Sequence, residues 1–243
     1  THEIYNGQGD TEARLYAATN APTAFNMYAS PDFIFNCPMQ FPERFNPTDE
    51  QYFSGKAEKI QDRFMETNFI ADVSQVGLDR WKTRGPGSNM MVMMAGGHFI
   101  CHLSEFPAGT YKKAHRHGPG AHVIIISGVG YSLLWPSQGA PHDGMERVDW
   151  KPGAMVVPPN GWFHQHFNGG TEPARYLALR WGSEQFAFCL GDQEGEMDVS
   201  VKQGGTQIEY EDEHNHIHDT FAETLKKAGG ESKMAEFIPR LRQ

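Results

Sequence analysis

Apolar and polar residues alternate differently along four stretches of the chain, and only one stretch sustains a β pattern. From Met90 to Leu190, short apolar runs recur between turn residues: Phe99–Leu103, Val123–Ile126, Tyr131–Trp135, Ala154–Val157 and Tyr176–Leu179. Evenly spaced strands with Gly and Pro punctuation predict a sandwich or barrel, here placed at residues 91–190. Residues 56–80 carry one apolar stripe of Ile60, Phe64 and Met65 and a later one of Phe69, Val73 and Val76, which predicts one or two short helices. Residues 20–50 hold Pro22, Pro31, Pro38, Pro42 and Pro47, a density that predicts neither a helix nor a central strand there. Their phenylalanines (Phe25, Phe33, Phe35, Phe41, Phe45) predict an ordered arm over residues 20–90 that packs against the barrel or a partner subunit. After Leu190 the chain turns acidic. Thr220 and Glu223 at capping-box spacing, closed by Gly229, predict a helix from about Asp219 to Ala228 in an exposed tail or oligomer strap over residues 191–243.

The composition narrows the partners. At 243 residues and 39% apolar, the chain suits one β-rich domain with extensions. A net charge of −9 without a basic run argues against nucleic acid, which needs clustered Lys and Arg. The three cysteines, Cys37, Cys101 and Cys189, are far apart and odd in number, so neither a disulfide framework nor a Cys zinc site is suggested, and a reducing cytoplasm is the expected location. No apolar run reaches membrane-spanning length and no signal peptide is visible, so no membrane partner is expected.

The histidines carry the chemistry. His115 and His117 stand two apart, so on a strand both face the same way and can grip one ion. His164, on a later strand, supplies a third ligand. Arg116, between the first two, should point away.

The segment from Gly109 through His115, His117 and Gly128 resembles the first cupin signature. Gly153 through Pro159, Gly161, His164 and Asn168 resembles the second at every fixed position. The resemblance implies an all-β fold, a jelly-roll β-barrel of the cupin type, here with a partly helical N-terminal arm and a C-terminal helical tail. It also implies a divalent metal on the three histidines. One departure matters. The cupin pattern places a glutamate where this chain has Ala121. His122 occupies the alternative spacing as a possible fourth ligand, although strand alternation turns it away from the face of Ala121.

Without that carboxylate, three neutral imidazoles leave the ion its full charge, and an anionic chelating substrate can supply the missing negative ligand. The ring-cleaving cupin dioxygenases of gentisate, salicylate and hydroxynaphthoate are similar in their Ala-His-Arg-His segment, in lacking the glutamate and in their Trp-containing second motif. Their resemblance implies Fe(II) chemistry on an aromatic or related acid. In that family the metal is usually carried by the first of two cupins, whereas the intact motifs here lie in the last. Thr1–Gly7 and Thr11–Arg14 echo His164–Gly169 and Thr171–Arg175, which suggests that residues 1–19 are the end of a preceding barrel, with His2 at its third ligand position.

Other readings stay open at this point. Mn, Ni, Cu or Zn would suit the same imidazoles, and a Lewis-acid lyase, isomerase or hydrolase would use them without redox chemistry. A binding protein without turnover would use the same barrel, with Met90, Met91, Met93 and Met94 either as an adaptable wall or as core. His166 can orient a ligand or donate to a substrate, and Arg175 and Arg180 can clamp a carboxylate or serve as surface ion-pair partners. His102 can enter the barrel beside His98 and Ile100. His214, His216 and His218 read as a solvated segment. The small-molecule enzyme is expected to be a homo-oligomer.

Overall fold

The computed structural model describes residues 4–19, 21–38, 57–94, 99–117, 121–136, 144–181 and 198–242. Residues 1–40 and 41–243 form two compact units. His2, His98, Cys189, Phe41 and Phe45 lie outside the described residues.

The first unit corrects the reading of the proline-rich stretch. It contains two short helices, α1 (Ala21–Met27) and α2 (Pro31–Phe35). Pro22 and Pro31 occupy the first helical turn, where a missing N–H is no loss and the fixed φ suits the helix. Tilted ring pairs, Tyr28 with Phe33 at 4.6 Å and Phe25 with Phe35 at 5.7 Å, tie the two helices together.

In the second unit the predicted β region is a two-sheet barrel. The strands are β1 (Glu58–Gln61), β2 (Phe64–Glu66), β3 (Asp79–Arg80), β4 (Ser88–Met94), β5 (Phe99–Phe106), β6 (Ala121–Ser127), β7 (Gly130–Trp135), β8 (Glu146–Trp150), β9 (Met155–Val156), β10 (Phe163–Asn168) and β11 (Ala174–Trp181). Among the described residues the larger sheet runs β1-β2-β4-β5-β11-β6-β9, with β3 on β4, and the smaller runs β10-β7-β8. Phe106, Val123, Ile125, Tyr176 and Ala178 from the first meet Leu134 and Trp150 from the second in one apolar cluster, so the two sheets face each other around a common interior. Gly128, at the β6–β7 turn, has φ +80, and a Cβ there would sit 2.6 Å from the Ala174 Cα, so only glycine fits.

Residues 58–66 form a strand pair instead of the expected helix. The turn is made by Asp62 and Arg63, the latter at φ 64 with its N–H bonded to Asp79 Oδ2 at 2.8 Å. Met65 then packs with Met90, Val92 and Cys101 on the outer face of the large sheet, and this tertiary contact outweighs an ambiguous local period. Met90 is therefore core. Met91, opposite His102 in register, lies on the inward face.

The C-terminal segment is also reassigned. Helix α3 spans Asn215–Lys227, earlier than expected, because His214 caps it by accepting from the His216 N–H. Its Ile217, Phe221 and Leu225 are buried against Tyr111, Tyr131 and Phe167, so the segment covers the outer face of the small sheet and is no exposed tail. Among the described residues no helix is long and apolar enough to cross a membrane.

Candidate metal centre

Strand β10 organises the site. Its odd residues, Phe163 and Phe167, join the cluster beneath α3, so alternation turns His164 and His166 into the barrel. The segment 111–117 runs antiparallel beside it. Tyr111 pairs with Phe167 and His115 with His164, four residues on one side against three on the other, which is a β-bulge. The His115 and His164 backbones exchange both hydrogen bonds, at 3.0 and 2.8 Å. Gly161, at φ +73, makes the turn into β10 and donates its N–H to the His117 carbonyl at 3.3 Å, holding the two histidine-bearing segments together.

The result is a cluster of His115, His117 and His164 whose ligand nitrogens all lie within 4.8 Å of one another. Metal–nitrogen bonds of about 2.1 Å require only a small inward turn of the rings to close on one ion. His115 Nδ1 lies 3.4 Å from the Lys113 carbonyl and His164 Nδ1 lies 3.2 Å from the Trp162 carbonyl. A carbonyl only accepts, so each Nδ1 carries the proton and each Nε2 presents its lone pair. Burial holds His115 and His117 well below the ordinary imidazole range, reinforced at His115 by the Arg84 charge and at His117 by His164 and Arg180. Burial and Arg84 also take His164 down to about 4, against a backbone hydrogen bond that opposes the shift. All three rings are neutral at pH 7, as metal ligands must be. The donor set fits a divalent ion.

The surroundings are cationic. Ala121 faces the interior with Val123 and Ile125, and its partner in register across β11 is Arg180, on the inward face with Tyr176 and Ala178. An arginine thus stands opposite the position where the cupin pattern has a carboxylate. His166 is buried, and its Nδ1 is 2.7 Å from Ser132 Oγ, which accepts the Trp150 indole N–H at 3.1 Å. His102 also enters the barrel, edge-on to Tyr176 at 5.9 Å, with its Nδ1 buried and lacking a hydrogen-bond partner.

Other candidates fall outside the cluster. His122 lies on the face of β6 opposite to Ala121 and is not among the grouped ligands. Arg175 is on the outer face of β11, pairs with Glu105 at 2.9 Å and donates to the carbonyls of Val73 and Val76, so it holds the 72–76 loop. Arg116 lies over the Phe163 ring at 5.3 Å, away from the site as expected. His214 and His216 serve the start of α3, and His218 Nε2 lies 3.2 Å from Ser232 Oγ.

Two further residues escaped sequence reasoning. Lys112 is buried, with its Nζ over the Phe106 and Tyr176 rings at 5.6 and 5.2 Å. Burial and the nearby Arg84 bring it down to about 7. Strict alternation from His115 would put Lys112 outside, and the bulge brings it inside. Arg84, in the short 3-10 helix Lys82–Arg84, is buried beside this segment and accepts the Lys113 N–H at its carbonyl, 3.2 Å away. No sequence pattern marks it.

No family model matches the chain. A gentisate 1,2-dioxygenase of Ralstonia sp is 28% identical over 93 residues, a segment that makes up 38% of this chain and 24% of that protein. Among solved structures, an oxalate decarboxylase aligns over 46% of this chain and 29% of its own at 16% identity and a TM-score of 0.39. A Lactobacillus farciminis oxalate decarboxylase formate complex gives 44%, 31%, 14% and 0.37, and a Drosophila melanogaster CENP-C domain gives 46%, 76%, 6% and 0.38. Likenesses this loose add nothing to the architecture above. With both histidine-bearing motifs in order on a two-sheet barrel, the chain has a cupin-type jelly-roll fold, and a segment of it is similar to a gentisate 1,2-dioxygenase.

Proposed function

We propose that the chain is a non-heme Fe(II) dioxygenase acting on a chelating aromatic or related organic acid, with the ion held by His115, His117 and His164. One observation carries this reading: three neutral imidazoles converge while Ala121 faces inward where the cupin pattern supplies a carboxylate. A divalent ion so held keeps its full charge and open positions, and iron(II) there supplies dioxygen chemistry in addition to Lewis acidity. An acid bearing a neighbouring hydroxyl or enol fills the gap left by the missing carboxylate. The similarity of a 93-residue segment to a gentisate 1,2-dioxygenase supports the same direction.

The chain's own groups then position the substrate. Ser132 Oγ accepts from Trp150, and when it gives its own hydrogen to His166 Nδ1 the ring keeps its proton on Nε2. Burial holds that ring neutral, so His166 donates a hydrogen bond to a substrate oxygen and does not add charge. Arg180, across from Ala121, offers a planar fork suited to a carboxylate. Arg175 has no part in this scheme.

The test is metal analysis of the isolated protein, followed by oxygen uptake after anaerobic Fe(II) loading with gentisate, salicylate and simple β-diketones. Uptake with at least one of these, reduced at least about 100-fold in His164→Ala, is expected. Stoichiometric Zn, Ni or Mn with no uptake under any loading would overturn the oxidative reading and leave Lewis-acid chemistry.

A further inference from the structure

Two buried cations near the cluster lack the partners that burial ordinarily demands. Lys112 is 4% exposed, and among the described residues no carboxylate pairs with its Nζ, which lies over the faces of Phe106 and Tyr176. Arg84 is 2% exposed. Its Nη2 reaches Asp198 at 3.4 Å, but Nε and Nη1 are buried with no hydrogen-bond partner. Cation–π contact with two rings offsets only part of the cost of desolvating an ammonium, and two orphaned guanidinium donors cost more than one ordinary hydrogen bond returns. The two groups are neighbours. The Arg84 carbonyl accepts from Lys113, the residue after Lys112, and the Arg84 charge acts on Lys112 and on all three clustered histidines.

A charge count gives these observations a direction. A divalent ion on three neutral imidazoles carries two positive charges, and a singly charged chelating acid neutralises one. Lys112, the unpaired donors of Arg84, and Arg180 across from Ala121 remain. Among the described residues Asp198 pairs with Arg84 Nη2, and Glu209 acts on Arg84 from farther away.

We propose that the barrel contains a second anion site formed by Lys112 and the Arg84 guanidinium, and that the substrate is a dianion whose first acidic group chelates the ion while its second occupies this site. The inference rests on the chelating-substrate reading above and names its substrate class. One oxygen of a carboxylate can accept from an unpaired Arg84 N–H while the other meets the compact charge of the Lys112 ammonium. Binding of that group also restores charge to Lys112.

The experiment compares ligands that share a chelating end and differ in the second acid: salicylate against its 4-carboxy and 5-carboxy derivatives, and lactate against malate. Each is titrated into the Co(II)-loaded full chain by calorimetry, with the cobalt absorption bands reporting chelation. At least one dianion is expected to bind tenfold or more tightly than its monoanionic parent. In Lys112→Met that ratio should fall to threefold or less, with monoanion affinity unchanged. Equal affinities of monoanions and dianions in the unmodified protein would overturn the second site and leave the chelating reading intact. Equal weakening of both classes in Lys112→Met would overturn it as well. If a cobalt-loaded protein binds neither class, the chelating-substrate reading falls and the second site falls with it.

Discussion

The two faces of β10 are built from adjacent residues and obey opposite rules. On the outer face, Phe163 and Phe167 are packed under the C-terminal segment, and the polar residue between them is nearly completed. Gln165 donates to the Lys112 carbonyl at 2.9 Å and to Glu213 Oε2 at 2.8 Å, while the Tyr111 hydroxyl donates to the other Glu213 oxygen at 2.5 Å. Burial raises Glu213 against the pull of these hydrogen bonds. On the inner face, His164 and His166 look into a space where His102 Nδ1 and two Arg84 nitrogens have no partner. The outer face is filled by packed aromatic side chains, whereas the inner face gathers nitrogen donors and ligands around open space. The outer face has orphans of its own, Gln165 Oε1 and the Tyr131 hydroxyl, but those on the inner side include two donors of a charged guanidinium, and a buried charge left incomplete points to a ligand.

Truncation of the outer face should therefore cost the most. Phe221, fully buried on α3, stacks edge-on against Tyr111 at 4.9 Å and lies 5.9 Å from Phe167. Phe221→Ala is expected to destabilise the protein by about 4 kcal/mol, the usual range for a large aromatic in a core, measured by urea unfolding. A cost below about 1 kcal/mol would mean that the C-terminal segment is not integral to the barrel.

On the inner face the sign should reverse. Lys112 titrates near 10.5 when unfolded and near 7 in the fold, so the folded state holds fewer protons between those values and stability rises with pH across that window. Lys112→Met removes the penalty. It is expected to stabilise the ligand-free protein by on the order of 3 kcal/mol at pH 7 and below, with the gain fading as pH climbs towards 10.5. Thermal unfolding at several pH values reads this directly. A stabilising change that also erases the preference for dianions would identify Lys112 as a residue kept for function at a cost in stability.

These two faces were unequally visible in the sequence. His115, His117 and His164 were legible because strand alternation and two spaced motifs fix which way they point. Lys112 was not, because a single bulge between Tyr111 and His115 reverses the alternation. Arg84 sits in an irregular turn whose position depends on a backbone bond to Lys113. Arg175 and Arg180 looked equivalent as candidates, yet an odd separation of five along β11 sends the first outward to the 72–76 loop and the second inward. The C-terminal segment misled through composition. Its acidic residues suggested solvent, while Ile217, Phe221 and Leu225 at helical spacing were the better guide. Prolines likewise excluded helices too broadly, since Pro22 and Pro31 lie where helices begin.

The smallest expected effect lies where inner and outer rules meet. Ser132 is on the inward face of β7, in register with His166, and its one hydroxyl serves both the Trp150 indole and the His166 ring. Ser132→Ala leaves a buried N–H and a buried ring nitrogen incomplete, which should cost about 1–2 kcal/mol, less than loss of the Phe221 ring. The sharper reading is the tautomer. In the unmodified protein the serine hydroxyl holds the proton off His166 Nδ1, so nitrogen NMR should find it on Nε2. In Ser132→Ala that constraint is gone, and the ring should populate both neutral tautomers. If His166 already carries its proton on Nδ1 in the unmodified protein, the serine accepts from both neighbours, His166 presents a lone pair to the barrel, and it would then resemble a fourth ligand more than a donor to substrate.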